Sequence, residues 1–131
     1  MSEIKLTVVT PEKNVIDTVC SFVALPLYDG EIGIGVNHSP LIGRVGFGEL
    51  RFKTEQGVET FYVDGGFVEA LDNNVSVMTG SAVPCDKVDK DVADKILSDA
   101  SSMKAYSDEE VALRDRKYKQ GRGMLKVASK S

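Results

Sequence analysis

The chain has 131 residues, of which 42% are hydrophobic and 27% charged, and a formal net charge of −4. That length accommodates one domain with an appendage and a core able to fold unaided, and no apolar run approaches the roughly 20 residues that cross a bilayer. The start MSEIKLTVV has neither a basic leader nor a long apolar stretch, so export is not expected, and Cys20 and Cys85, far apart and without a CxxC pair or a second histidine, are expected to be small thiols in a reducing compartment rather than a metal set.

Up to about Pro84 the pattern is that of short strands. EIKLTVV places Ile4, Leu6 and Val8 on one face and Lys5, Thr7 and Val9 on the other, and TPEKN then turns the chain. VCSFVALP is apolar at most positions. The segment DGEIGIGVNHSPLIG, Asp29 to Gly43, is rich in glycine and holds the single histidine, His38; it is expected to be a loop, followed by bends and strand in SPLIGRVGFGELRF. ELRFKTEQGVETFYVDGG alternates on either side of Glu55-Gln56-Gly57, a hairpin signal. FVEALDNNVSVMTG repeats the device around Asp72-Asn73-Asn74, because Asn and Asp tolerate the left-handed backbone of a tight turn. Many short strands separated by turns predict an antiparallel β-sandwich or barrel over residues 1–86.

After Pro84 the period becomes helical. Val88, Val92, Ile96, Ala100 and Met103 recur every three or four residues and predict one amphipathic helix in KVDKDVADKILSDASSMK. Ser107 begins a second: SDEE places Glu110 three residues after the serine, a capping box, and its acids suit the positive end of the helix dipole. Behind it Val111, Tyr118 and Leu125 recur every seven residues, a thin stripe, and Gly121 and Gly123 are expected to weaken the last turns. Residues 87–131 are therefore expected to form a two-helix hairpin joined by AYSD, with only VASKS at the end frayed. Charge divides at the same place: up to Asp86 there are 12 acidic and 5 basic residues, and beyond it 8 acidic and 11 basic.

Enzyme chemistry finds little support. A lone histidine cannot supply a metal site with two or three imidazoles, and Gly30, Gly33 and Gly35 are followed neither by GK[ST] nor by a helix that could present its N-terminus to phosphate. From Val111 onward there are seven basic residues against one acid, Asp115. Such a run suits a solvated face, an acidic protein surface or nucleic acid, but Tyr118 is the only interleaved aromatic, which argues against base stacking.

The order of parts, with TPEKNVID, LPLYDGEIGIGVNHSPL, GELRF and FYVDGGFVEALDNNVSVMTGSA ahead of a helical pair, closely resembles the epsilon subunit of bacterial F-type ATP synthases, the counterpart of mitochondrial delta. The family's EGELG…HAPL and SGGFLEV…N.VTVLA correspond to DGEIG…HSPL and DGGFVEALDNNVSVMTG here. The resemblance implies a non-catalytic central-stalk subunit of a proton- or sodium-translocating enzyme, peripheral to the cytoplasmic face of the bacterial inner membrane. It implies as partners the gamma (shaft) subunit, the c-ring and, transiently, the alpha/beta catalytic head, and no nucleic acid.

Glu31 and His38 would contact the ring, and Arg114, Arg116, Lys119 and Arg122 would meet the head when the hairpin extends to inhibit hydrolysis. Where family members often carry a proline before the histidine and Lys-Pro-Gly after the PL run, this chain has Val36 and Gly46-Phe47-Gly48. Some members bind ATP through I/L-D-x-x-R-A; in VDKDVA here Asp89 and Ala93 match, Val92 replaces the arginine, and Asp89 is better taken as the N-cap or first turn of the helix, so neither cofactor nor metal is expected. The alternative is a free-standing regulatory module with a basic helical tail; a small enzyme is a third and weaker reading.

Overall fold

The computed structural model describes residues 3–128. Ten strands form two five-stranded sheets packed face to face. The first sheet has the order β2 (Asn14–Cys20), β1 (Ile4–Val9), β9 (Asn74–Met78), β8 (Phe67–Leu71), β5 (Leu41–Arg44). The second has the order β10 (Ala82–Pro84), β7 (Gly57–Asp64), β6 (Phe47–Thr54), β3 (Phe22–Leu27), β4 (Gly30–Gly35). Pairing is antiparallel except between β1 and β9, where Leu6 lies beside Val75 and Val8 beside Val77 in parallel register. That long-range pair joins the first strand of the sandwich to one near its end, and local alternation carries no trace of it.

Period-2 patterning builds the core as expected. Ile4, Leu6 and Val8 are completely buried and meet Val68, Val75 and Val77 of their own sheet and Val23, Leu25, Leu50 and Val63 of the other. Cys20 is a buried thiol of this cluster, its acidity reduced by burial. The two hairpin signals fall where the sequence places them. Glu55-Gln56 joins β6 to β7, and Asp72-Asn73 joins β8 to β9 with φ of 51° and 63°, a left-handed pair that keeps the twist of the flanking strands. One apolar run is divided, and one expectation is corrected. VCSFVALP is broken at Ser21 between β2 and β3, because the chain there crosses from one sheet to the other. The expected loop of Asp29–Gly43 is half strand: β4 pairs along its whole length with β3 and forms the edge of the second sheet, with Gly33 accommodating the Phe22 ring.

A 3-10 turn, Cys85–Lys87, leads into α1 (Lys90–Ser102) and then α2 (Asp108–Ala128). Asp89 caps α1, accepting from the Asp91 amide at 2.8 Å, and Ser107 caps α2, its Oγ accepting from the Glu110 amide at 3.1 Å. The buried face of α1 is Ala93 and Ala100, with Ile96 and Leu97 half-buried; Val92, expected on that face, is 46% exposed. Val88 precedes the helix and packs instead with Tyr62, Cys85 and Val127. The expected fraying of VASKS does not extend to Val127, which is helical and buried; residues 129–131 lie outside the described residues.

Between β7 and β8 the chain passes from one sheet to the other through Gly65 and Gly66, with φ of 72° and 107°. A methyl group on Gly66 would stand 1.8 Å from the Met78 carbonyl oxygen, so neither the backbone angle nor the space admits another residue. Gly66→Ala should therefore lower unfolding stability by about 2 kcal/mol or more, measured by urea titration. Gly30→Ala, where a methyl meets nothing within 4 Å, should stay within about 0.5 kcal/mol of the parent.

Candidate functional site: two uncovered surfaces and a docked helix

The outer faces of the two sheets are treated differently. On the second sheet, alternate residues of β7 point outward, and two of them, Tyr62 and Asp64, are nonetheless buried, because α2 lies across β6 and β7. Close approach is possible because glycine occupies the contact positions. A methyl on Gly123 would be 2.7 Å from the Phe47 carbonyl oxygen, and one on Gly121 would be 2.7 Å from Leu97 of α1. These glycines were expected to weaken the last turns; instead α2 is continuous to Ala128, and both are buried points of contact, one with the sandwich and one with α1. Val111, Tyr118 and Leu125 form only a half-buried stripe, since glycine and Val127 make the deepest contacts.

Polar groups fasten the same seam. Lys119 Nζ donates to Tyr28 Oη at 2.6 Å and lies 3.9 Å from the ring centroid, while Arg44 stacks on that ring at 4.2 Å. The Lys119 hydrogen bond and charge pull the Tyr28 phenol below its ordinary pKa. Arg116 stands over Phe47 at 5.3 Å, and Gln120 Nε2 donates to Asp64 Oδ2 at 2.8 Å. Tyr62, whose phenol is driven far upward by burial, donates its hydroxyl to the Gln120 carbonyl. Of the four cations assigned by resemblance to the catalytic head, Arg116 and Lys119 are thus held against the sandwich, Arg122 is stacked on Tyr118 at 5.2 Å within α2, and Arg114 is half-buried.

The sequence did not single out Tyr28, Phe47, Asp64 or Gln120. The available signal was the pair Tyr62 and Asp64 on alternate residues: a large aromatic on the face opposite the core implies that something covers that face.

The outer face of the first sheet has no such cover. One cross-strand row reads Arg44, Phe67, Met78, Val9, and Phe67 and Met78 are each more than half exposed. Ile42 and Leu71 extend the apolar area, with Glu69 between them on β8. The end of the sandwich that carries the Asp72-Asn73 turn is also open. Here Asn37, with φ of 64°, and Asn73 exchange hydrogen bonds, the Asn37 amide donating to Asn73 Oδ1 at 2.6 Å and Asn73 Nδ2 to Asn37 Oδ1 at 3.1 Å. His38 follows directly, its Nδ1 2.7 Å from the Ser39 carbonyl oxygen, beside a shallow recess of about 320 Å³ lined by Asn37, His38, Pro40, Asp72 and Asn73.

Glu31 and His38 are not brought together. Glu31 lies opposite Pro26 near the β3–β4 turn, whereas His38 follows the far end of β4, beyond Gly35. Glu31 forms an exposed pair with Arg51 at 3.5 Å, and Arg51 also reaches Glu49 at 3.7 Å. In the VDKDVA segment, Asp89 is the helix cap, Ala93 is buried between the helices and Val92 presents an apolar side chain to solvent. These three residues do not fit a nucleotide phosphate, which needs a cationic donor where Val92 stands. Among the described residues there is no cluster of three His, Cys, Asp or Glu placed to hold a metal, and no helix is long and apolar enough to cross a membrane.

Comparison with known proteins bears on this architecture. Residues 3–85 match the family described as ATP synthase, Delta/Epsilon chain, beta-sandwich domain. The ATP synthase epsilon chain of Rhodopirellula baltica is 42% identical over 125 residues, covering 95% of this chain and 98% of that one. The sodium-ion-specific epsilon chain of Propionigenium modestum is 25% identical over 130 residues, 98% of this chain and 95% of that one. Among solved structures, a chain in the Tetrahymena thermophila mitochondrial ATP synthase central stalk/c-ring superposes with a TM-score of 0.76 at 14% identity, covering 95% of this chain and 96% of that one. A chain of the Euglena gracilis mitochondrial OSCP/F1/c-ring assembly gives 0.73 at 23% identity, covering 98% of this chain and 79% of that one. At these identities the two superpositions establish the fold alone.

Substituting the closest contact separates helix docking from sandwich folding. Gly123→Val should lift α2 from Phe47 while leaving the sheets intact, because a branched side chain meets backbone that cannot retreat. In amide exchange, α2 should lose protection and β1, β6 and β9 should keep it.

Proposed function

The chain belongs to the ATP synthase delta/epsilon family, and on that premise we propose how its surfaces serve the enzyme's rotor. It is a non-catalytic central-stalk subunit of the F-type ATP synthase, peripheral to the membrane. The observation that carries the division of labour is the contrast between the two sheet faces: one is sealed by α2, while the other leaves the Phe67–Met78 row bare. An apolar row of that kind, rimmed by Arg44 and Glu69, fits a stable interface with a protein partner. The bare face docks on the gamma shaft.

The open end at His38, with Asn37, Asp72 and Asn73, offers short polar side chains and turn backbone to the polar loops of the c-ring. Glu31, at the other end of β4 and already paired with Arg51, would reach the ring only along the exposed edge of that strand. The subunit lies on the cytoplasmic face of the bacterial inner membrane. Torque then passes from ring to shaft through a rigid sandwich, which needs no bond chemistry.

The helical pair has a second role. When α2 leaves the sandwich, Arg114, Arg116, Lys119 and Arg122 become available to an acidic surface of the alpha/beta head, so that the extended hairpin restrains hydrolysis. ATP is not proposed as a ligand, since Asp89 caps a helix and Val92 supplies no charge. A free-standing module with a basic tail fits poorly with a chain that aligns over almost its whole length with an ATP synthase epsilon chain.

Reconstitution into ATP synthase stripped of this subunit tests these assignments together. The full chain should restore coupled hydrolysis. The double variant Phe67→Asp and Met78→Asp should fail to incorporate, with a loss of about 2 kcal/mol or more in binding. The chain truncated after Asp86 should incorporate and raise ATP hydrolysis above the full-length level. Normal incorporation of the double variant would overturn the shaft-facing assignment, and unchanged hydrolysis on truncation would overturn the inhibitory one.

A further inference from the structure

Among the described residues Asp64 is the only buried carboxylate, and it lies in the seam between α2 and the sandwich. Groups from both sides face it: Tyr62 and Thr79 from the sandwich, and Arg116 and Gln120 from α2. Gln120 Nε2 serves Oδ2, but Oδ1 is buried with no hydrogen-bond partner. The neighbouring hydroxyls are already committed. Thr79 gives its proton to the Ser81 carbonyl and accepts from the Asp64 amide, and Tyr62 gives its proton to the Gln120 carbonyl. Arg116, drawn over the Phe47 ring, attracts the carboxylate without forming an ion pair with it.

A buried carboxylate oxygen without a donor is a costly arrangement for the ionised form and a much cheaper one for the neutral acid. Because α2 supplies both Gln120 and Arg116, lifting the helix returns Asp64 towards water, where ionisation costs nothing extra. The two positions of the helix therefore bind a proton with different affinity, and proton uptake and docking become linked.

We propose that protonation of Asp64 fastens α2 to the sandwich, and that loss of this proton loosens the helix, releasing Arg116 and Lys119 for other contacts. Burial, the largest influence, pushes the Asp64 acid above its ordinary range, while the Arg116 charge and the Gln120 hydrogen bond pull partly against it. The sign follows. An acid whose pKa is raised in the docked form contributes docking stability that is fully present below the undocked pKa and is lost as pH rises through the docked one. Docking thus weakens as pH rises from the ordinary carboxylate range through the raised, docked value. The proposal concerns the docked helix alone and holds whether or not the released helix reaches the catalytic head.

Nuclear magnetic resonance of the full chain reads both halves of the linkage. The Asp64 carboxyl carbon should titrate above the ordinary aspartate value of about 3.9, and the amide of Gly123, held against Phe47, should move from its docked to its undocked position with the same midpoint as pH rises. Asp64→Asn, neutral at every pH, should flatten the Gly123 profile on the docked side. Arg116→Gln removes the cation that favours the ionised form and should move the midpoint upward; it serves as the deciding variant if Asp64→Asn does not fold. An Asp64 midpoint at or below the ordinary value, a Gly123 profile unchanged in Asp64→Asn, or a midpoint that stays or falls in Arg116→Gln would each overturn the proposal.

Discussion

The contact between Gly123 and the Phe47 backbone fixes the arrangement of everything beyond the sandwich. With no side chain at that position, α2 approaches until a methyl group would be 2.7 Å from a carbonyl oxygen, and only at that distance do its neighbours find their partners. Gln120 reaches Asp64, Lys119 reaches Tyr28, and Val127 closes over Tyr62 and Cys85. Gly121 does the same for α1, which meets it with Leu97 and buries Ala93 and Ala100. Neither helix owes its place to an apolar stripe of its own. The seam combines small residues that allow close approach with polar groups that need it, and such a contact is held or lost as a unit.

This bears on which part of the molecule can change position. The sandwich has a core that is continuous across both sheets, and its strands are tied by one long-range parallel pair. The helical pair joins it through a narrower seam in which cations stack on aromatic rings and one acid is buried. Exposed or half-exposed contacts of that kind contribute modestly each, so the helices are the part of the molecule whose position other forces can change. Arg116 and Lys119 illustrate the consequence, since Arg116 stands over Phe47 and Lys119 is held by Tyr28 while α2 is docked.

Much of the sandwich was legible in the sequence because its determinants are local. The alternation of Ile4, Leu6 and Val8 and the left-handed propensity of Asp72-Asn73 each specify structure within a few residues. The helices existed where expected, with Asp89 and Ser107 as caps, but their buried faces were misjudged. A hydrophobic stripe points to Val92, whereas the close approach of two helices favours Ala93, which carries too little apolar surface to announce itself. Gly121 and Gly123 look like weaknesses to a propensity scale and are contact points only in the presence of Leu97 and Phe47. The strand Gly30–Gly35 has no local signal because glycine has low strand propensity, and β3 supplies the pairing that outweighs it. Asp64 and Gln120 are 56 positions apart, and no local pattern relates them. Glu31 and His38 lie close in sequence, yet the strand between them carries them to opposite ends.

We propose that this rotor subunit bridges two partners with surfaces its own helices leave bare. The most direct test is to tag the chain in its source cells, solubilise the membranes gently and identify what remains bound. The account predicts that the shaft, the catalytic subunits and the ring accompany it. Recovery of the chain alone, or with nucleic acid, would contradict it.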